Sequence, residues 1–171
     1  MKLYYAAYST VGAVRLINED NVYLNGISKA KNQANFVCKG KSSEKRQLFA
    51  VLDGLGGEEN GEVAALAFKG KCAMTVNLGD SLIYLFREGN LTRLTHDHTE
   101  YTALPEYEVL TEDDYYTSPA RNHLTRHLGN VSVDAQMESF CTREILCRPD
   151  DLFLLCSDGL CGSLRFGKLK K

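Results

Sequence analysis

The sequence predicts a fold of two antiparallel β-sheets packed face to face, with little helix. Three observations support this prediction. The 171 residues are enough for one domain with a real core, so a single domain is expected over residues 1–171. About eight short apolar or alternating segments are separated by turn residues. Stretches with helical spacing are few and short.

The first half of the chain contains four of the predicted elements. Residues 2–9 and 20–24 alternate like strands, and the polar, lysine-rich residues 26–46 predict a surface loop or a hairpin tip. The apolar run QLFAVLD (47–53) predicts a buried strand, because it ends in an aspartate followed by glycines. After this glycine-rich turn, GEVAALAF (61–68) has helical spacing and predicts a helix of about two turns.

The second half continues with strands. Residues 87–90 predict a hairpin turn, and residues 97–120 are acidic, tyrosine-rich and irregular. RNHLTRHLG (121–129) predicts a short helix ended by its glycine. The end of the chain, 163–171, is expected to be a frayed tail. The predicted strands of this half lie at 72–80, 81–86, 91–95, 133–140, 143–148 and 151–159.

The composition excludes several classes of protein. The chain is 44% apolar and 25% charged with a formal net charge of -2, which gives no electrostatic reason to expect nucleic acid or a membrane surface as a partner. No apolar run approaches the roughly 20 residues of a spanning helix, and the N-terminus lacks a signal-peptide pattern. We therefore expect a cytoplasmic protein. The six cysteines have no zinc-ligand spacing, which favours buried free thiols in a reducing compartment.

Acidic residues mark the ends of several strands. Asp53 and Asp158 each follow an apolar strand and precede a glycine, while Glu19 and Asp20 lie where a loop enters a strand. Carboxylates gathered at one rim of a sheet repel one another unless a cation neutralises them. Mg²⁺ and Mn²⁺ prefer such oxygen ligands, and two of these ions about 3.5–4 Å apart form a hydrolytic site.

Each of these features also has a simpler interpretation. Asp-Gly is a common turn dipeptide, so a single Asp-Gly would indicate no more than a turn. Arg15 lies four residues before Glu19, and its planar guanidinium could bind two phosphate oxygens. Taken alone, however, an arginine in a polar segment is an ordinary surface residue. It is the combination of sites that favours a metal-assisted reaction on a phosphate.

Four ordered motifs carry a resemblance to a known family. They are STVGAVRLINEDN (9–21), FAVLDGLGGEENGEVAA (49–65), NLGDSLIYLFREGNLTRLTHDHT (77–99) and DDLFLLCSDGL (150–160). Their order and spacing are similar to those of the PPM, or protein phosphatase 2C-like, serine/threonine phosphatases of the bacterial type. The resemblance runs over nearly the whole chain, from about residue 4 to residue 162.

The resemblance implies an α+β fold in which two antiparallel sheets form a sandwich flanked by helices. It implies two Mn²⁺ or Mg²⁺ ions at one end of the sandwich, with a third ion in some bacterial members. The implied activity is hydrolysis of phosphoserine and phosphothreonine in phosphorylated proteins by a water activated between the two ions.

The motif positions also assign roles to residues by resemblance. Asp53 would bridge the two ions and Gly54 would bind one through its carbonyl, while Arg15 would hold the substrate phosphate. Leu55 stands where some members have a histidine proposed as general acid. Catalytic roles would fall to Asp53, Asp158 and Arg15. The implied metal ligands are Glu19, Asp20 (directly or through water), Asp53, Gly54, Asp158 and, for a third ion, Asp97.

The sequence departs from the family pattern in three places. Only 25 positions separate Gly54 from Gly79, where the family has two long helices and a further strand, so GEVAALAF is expected to be the start of the first helix. A sheet face would then be exposed, or covered by self-association. The family's closing segment, with a further aspartate ligand, is absent after the SDGL motif, and Leu82 stands where the family has arginine.

Three functional readings follow from these motifs and departures. The first is a phosphoprotein phosphatase impaired by missing segments. The second is an inactive pseudophosphatase that binds phosphoproteins, and the third is a fragment with no role of its own. Among the histidines, the HDH sequence around Asp97 and the pair His123 and His127 could form transition-metal sites. For HDH, a place at the base of the family's flap is the preferred interpretation.

Overall fold

A seven-stranded antiparallel sheet forms the centre of the protein in the computed structural model, which describes residues 1–31, 33–54, 60–129 and 138–162. Within it, β5 is paired along its whole length with β6, and β6 with β7. The strands, in spatial order, are β10 (Phe140–Cys141), β7 (Cys72–Leu78), β6 (Gly61–Lys69), β5 (Arg46–Gly54), β2 (Asn21–Leu24) and β3 (Ile27–Ser28), with β11 (Ile145–Leu146) also paired to β7.

Two smaller antiparallel sheets complete the strands of the described residues. One pairs β1 (Leu3–Ser9) with β4 (Phe36–Ser42). The other has the order β12 (Leu152–Cys156), β8 (Leu82–Arg87) and β9 (Asn90–Arg93). The helices of the described residues are short: α1 (Glu112–Thr117), α2 (Asp158–Cys161) and the 3₁₀ turns Tyr107–Val109 and Pro119–Asn122.

A line of aromatic rings joins the three sheets. Tyr5 of β1 packs on Phe49 of β5 with ring centroids 5.3 Å apart, and Phe49 contacts Phe68 of β6 edge-on at 6.0 Å. Phe68 in turn meets Phe153 of β12 at 5.6 Å. Such tilted and edge-on pairs stabilise a core beyond the area they bury. The central sheet is thus packed against strands from both smaller sheets, and the expected two-layer sandwich is confirmed.

The segment GEVAALAF is a strand, so the prediction of a helix at 61–68 was wrong. Its burial alternates, with Glu62, Ala64, Leu66 and Phe68 facing the core. A short run of alanine, valine and leucine fits both periods, and here the two neighbouring strands decide because they pair both edges of its backbone. The family's first helix therefore does not start in this segment.

The remaining element predictions had mixed outcomes. The strands expected at 2–9, 20–24, 47–53, 72–80, 81–86, 91–95 and 151–159 are present, with each end within three residues of the prediction. Of the strand expected at 143–148, only Ile145–Leu146 forms. The polar segment 26–46 contains β3 and β4, which were missed. The helix expected at 121–129 was also wrong, since only a 3₁₀ turn ending at Asn122 overlaps it.

Other expectations fall where the structure gives no description. Leu55, most of the strand expected at 133–140 and the tail 163–171 lie outside the described residues. For the part of the chain that is described, no helix has the length and apolar character needed to cross a membrane.

The outer face of the central sheet is apolar and partly uncovered. Leu48, Ala67 and Met74 form a cross-strand row on β5, β6 and β7, and Leu48 and Met74 are 43% and 41% exposed. All helices of the described residues lie after residue 106. The expected exposure of a sheet face is therefore found here.

Candidate metal centre

Three predicted site residues approach one another at one end of the sandwich. Asp20 immediately precedes β2, whose Asn21 pairs with Leu52 of β5, so Asp20 lies beside Asp53 near the end of β5. Asp158 begins α2 directly after β12. The Ser157 hydroxyl donates a hydrogen bond of 2.9 Å to Asp20 Oδ2 and ties these segments together. Carboxylates from three distant parts of the chain are thus neighbours.

The electrostatics of Asp53 reflect this crowding. Its pKa is raised to about 8, first by burial and then by the negative charges of Asp20 and Asp158, both of which lie close enough to share a hydrogen bond with it. A carboxylate that is buried beside two others is costly to ionise. A bound cation would remove that cost, which is the behaviour expected of a metal-binding position.

Glu19 and Gly54 lie in direct contact. A Cβ built on Gly54 would be 2.9 Å from Glu19 Cβ, so only a glycine allows the two backbones to approach this closely. Arg15 lies at the exposed rim, with its Nη1 3.5 Å from Glu19 Oε2. In this arrangement the predicted phosphate-binding residue is paired with a predicted metal ligand.

Asp97 lies apart from these residues. It is buried, forms an ion pair with Arg93 and accepts a 3.2 Å hydrogen bond from the Tyr115 hydroxyl. Both of its carboxylate oxygens are therefore engaged by protein groups. To ligate a third ion, Asp97 would have to exchange one of these partners.

Two further carboxylates of the site were missed by the sequence reasoning. Glu62 of β6 is only 4% exposed and accepts hydrogen bonds from the backbone N–H groups of Asp80 and Ser81. Burial raises its pKa, and the charges of Asp53 and Asp158 add to that effect. Both Glu62 and Asp80 stand inside the quoted motifs, but only the reassignment of 61–69 to a strand turns Glu62 toward the site.

Asp80 extends the acidic cluster toward Asp97. Its pKa is raised to about 9 by burial, then by Glu62 and by the charges of Asp97 and Asp158. Within the described residues its Oδ1 atom is buried without a hydrogen-bond partner. An unpartnered buried oxygen is costly, and a cation or a water held by one would satisfy it.

The described carboxylates offer the type of ligand atom that a divalent cation prefers, but their positions do not form a complete coordination shell. All donors are oxygens, as Mg²⁺ and Mn²⁺ prefer. However, in the described ranges no three His, Cys, Asp or Glu side chains are placed so that they could hold a metal ion as they stand.

The histidines give no support for a transition-metal site. His98 is buried, with its Nδ1 atom 3.2 Å from the Gly79 backbone nitrogen, next to the turn that carries Asp80. His123 contacts Glu100 at 2.9 Å, whereas His127 faces the Leu128 carbonyl. The two histidines of the expected pair thus have different partners.

Comparison with known proteins gives relatives of one kind. No protein-family model matches the chain. The serine/threonine protein phosphatase PstP of Mycobacterium tuberculosis (strain ATCC 25618 / H37Rv) is 27% identical over 92% of this chain and 36% of its own length. The serine/threonine phosphatase stp of Listeria welshimeri is 29% identical over 86% of this chain and 58% of its own length. The chain thus spans 36% to 58% of the length of these relatives.

Solved structures of similar shape are also phosphatases. A crystal structure of the Mycobacterium tuberculosis serine/threonine phosphatase PstP/Ppp has a TM-score of 0.71 at 23% identity, covering 99% of this chain and 83% of that one. The S. agalactiae serine/threonine phosphatase gives 0.75 at 17% identity, covering 99% and 85%. The catalytic domain of PstP in complex with two manganese ions gives 0.65 at 22% identity, covering 99% and 83%. The chain therefore has the fold of the PPM serine/threonine phosphatases and is similar in sequence to their bacterial members.

Proposed function

We propose that this chain hydrolyses phosphoserine and phosphothreonine in proteins with the help of two Mn²⁺ or Mg²⁺ ions. The observation that carries the proposal is the meeting of Asp20, Asp53 and Asp158, which come from three distant segments, at one end of the sandwich. The raised pKa of Asp53, which follows from its burial beside the other two, is consistent with it. Similar phosphatases, one of them solved with two manganese ions, support it. A cytoplasmic location, expected from the sequence, belongs to the same proposal.

In this proposal the carboxylates of the site would bind the cations, and Arg15 would bind the substrate phosphate. Asp53, Asp20, Asp158 and the Gly54 carbonyl would hold the cations, with Glu19 joining them once Arg15 leaves it for the phosphate. When bound, the two ions neutralise phosphate charge and lower the pKa of a water molecule. The Arg15 guanidinium would orient the phosphate by two parallel hydrogen bonds.

The test is Mn²⁺-dependent hydrolysis of p-nitrophenyl phosphate and of a phosphothreonine peptide. Asp53→Asn keeps the size of the side chain but removes its charge, so we expect activity to fall by at least about a hundredfold, more than for loss of a residue that only supports a ligand. Asp150→Asn is the matched control, because Asp150 is exposed in the turn before β12. Equal activity of the two variants would contradict the proposal.

The second candidate function is phosphoprotein binding without hydrolysis. It is favoured by the finding that no group of three potential ligands in the described ranges is ready to hold a metal ion. This pseudophosphatase would bind a phosphothreonine peptide through Arg15 without Mn²⁺, and Arg15→Ala would abolish that binding. Peptide binding that requires Mn²⁺ and is followed by phosphate release would instead support the enzyme.

The partly exposed face of the central sheet also calls for a partner. We propose that a second copy of the chain covers the row formed by Leu48, Ala67 and Met74, because apolar side chains on one face gain stability when water is excluded from them.

A further inference from the structure

Two buried thiols flank Asp158. Cys156 ends β12 and Cys161 ends α2, and their Sγ atoms are 2.9 Å apart. This separation is only about 0.9 Å longer than the S–S bond of about 2.05 Å in a disulfide. A small adjustment of two side chains would therefore bring the sulfurs to bonding distance.

A cavity extends to Cys161, one of the two cysteines. Cys161 lines a cavity of about 470 Å³ together with Tyr84, Tyr116 and Asp158. That volume is within the range of small-molecule sites. Although both cysteines are buried from bulk solvent, a peroxide the size of a few water molecules could reach Cys161 through this space.

We propose that Cys156 and Cys161 are an oxidative modification site whose oxidant is a small hydroperoxide such as hydrogen peroxide. The Cys161 sulfur attacks one peroxide oxygen and the O–O bond breaks; the leaving hydroxide takes up the proton lost by the thiol, which gives a sulfenic acid and one water molecule. The Cys156 sulfur then attacks the sulfenic sulfur and the S–O bond breaks; the leaving hydroxide takes up the Cys156 proton as a second water, and the disulfide is formed. The two thiols lose two electrons and two protons, and the peroxide is reduced to two water molecules.

The disulfide would close a loop around a predicted metal ligand. The enclosed residues include Ser157, which donates to Asp20, and Asp158, which adjoins Asp53. A cross-link on both sides of Asp158 would restrict how far this carboxylate can move relative to Asp20 and Asp53 when a cation binds. We therefore expect oxidation to weaken Mn²⁺ binding; this consequence rests on the proposed metal centre, whereas the disulfide does not.

The experiment is oxidation of the full chain by hydrogen peroxide, followed by alkylation of free thiols and mass spectrometry. We expect a loss of about 2 Da per disulfide, mapped to Cys156 and Cys161 and reversed by dithiothreitol. Cys161→Ser should abolish this product, whereas the matched control Cys147→Ser, in the strand-and-turn segment just before β12, should retain it. A Cys72–Cys147 disulfide, or sulfinic acid at Cys161 without a cross-link, would overturn the proposal.

A comparison of folded and unfolded protein guards against variants that fail to fold. Wild-type protein oxidised in concentrated urea should form mixed disulfides, whereas the native protein should form the Cys156–Cys161 bond selectively. Equal mixtures in the two conditions would overturn the proposal. Calorimetry then compares Mn²⁺ binding to reduced and oxidised protein. Equal affinity in both forms would overturn the coupling alone, and no binding in either form would contradict the metal centre rather than the disulfide.

Discussion

At the residue scale, Gly79 explains how a buried glutamate is held at the site. Gly79 has a φ of 104°, which side-chain-bearing residues rarely adopt. A Cβ at this position would lie 2.6 Å from Glu62 Cβ and would overlap the Glu62 carboxylate. The glycine therefore leaves room for the Glu62 carboxylate, which accepts hydrogen bonds from the backbone N–H groups of Asp80 and Ser81.

We predict that Gly79→Ala destabilises the protein much more than Gly70→Ala. Both glycines have positive φ, but a Cβ on Gly70 would meet no atom within 4 Å, so Gly70→Ala should cost about 1–2 kcal/mol from backbone strain alone. Gly79→Ala should cost about 1–3 kcal/mol more, because Glu62 must be displaced as well. Urea unfolding measures the difference, and equal costs would show that Glu62 is not held as described.

The raised pKa of Asp53 predicts how pH affects cation binding. Without a cation its pKa of about 8 exceeds the ordinary value of 3.8, so the folded protein retains this proton near neutral pH. The same sign means that metal-free stability falls as pH rises from about 4 to about 8. A cation requires the ionised form and must therefore displace the proton.

We accordingly predict that Mn²⁺ affinity rises with pH by up to about tenfold per unit until about pH 8, for one proton released. Calorimetry in two buffers with different heats of ionisation measures the protons released on binding. Asp150→Asn should behave as wild type. An affinity that is independent of pH between 6 and 8 would exclude Asp53 as the ligand that loses this proton.

At the element scale, an ion pair stabilises the position of β12, the strand that leads to Asp158. Asp151, just before β12, accepts hydrogen bonds from Arg87 Nε at 2.8 Å and Nη2 at 2.6 Å, and from the Arg148 backbone at 2.8 Å. These interactions, led by the Arg87 hydrogen bond, lower the pKa of Asp151. The pair fixes β12 beside the end of β8, and so helps to position Asp158, which begins α2 two residues after β12 ends.

We predict that Asp151→Asn lowers the free energy of unfolding by about 1–3 kcal/mol. The depressed pKa means that the stabilisation is present above the pKa of Asp151 in the unfolded chain and is lost as pH falls through its folded value. Glu88→Gln is the control, because the Arg148–Glu88 pair is exposed and should contribute little. The free energies of unfolding of wild type and Asp151→Asn, measured by denaturation at pH 7 and at pH 3, should differ less at the lower pH.

The pairing of β6 with β5 determines which carboxylates lie together at the site. β5 ends at Gly54, and β6 starts at Gly61 opposite it, so the chain passes from one strand to its neighbour over six residues. This pairing places Glu62 across from Asp53. A helix in this segment would have removed Glu62 from the acidic cluster and left β5 without a partner on this side.

At the scale of the whole molecule, the uncovered sheet face predicts self-association. Leu48→Lys and Met74→Lys place charges in the exposed apolar row, so we expect either variant to lower the fraction of dimer in analytical ultracentrifugation. Val37→Lys, at an exposed apolar residue of β4 away from this face, adds the same charge and is the control. Wild-type protein that remains monomeric at concentrations of about 100 μM would contradict the proposed dimer.

Much of the fold and site could be predicted from local sequence. The apolar runs before Asp53 and Asp158 are strands, as predicted from their short length and the turn residues that follow them, although the second is only partly buried. β4 was missed because its lysines make the segment polar overall, so its alternation of half-buried and exposed residues was not recognised. Pairing with β1 makes this segment a strand. The prediction of a helix at 61–68 was wrong because the secondary structure of an alanine-rich segment depends on its tertiary contacts, here with β5 and β7.

The sequence by itself determined most of the strands, the carboxylates Asp53 and Asp158 near the ends of two of them and the likeness to a phosphatase family. Only the tertiary structure decided which carboxylates meet. Glu62 and Asp80 join the cluster, and the thiols of Cys156 and Cys161 come into contact. The physical reason is that strand pairing and burial are non-local: which way a side chain faces depends on partners far away in sequence, and no local pattern contains that information.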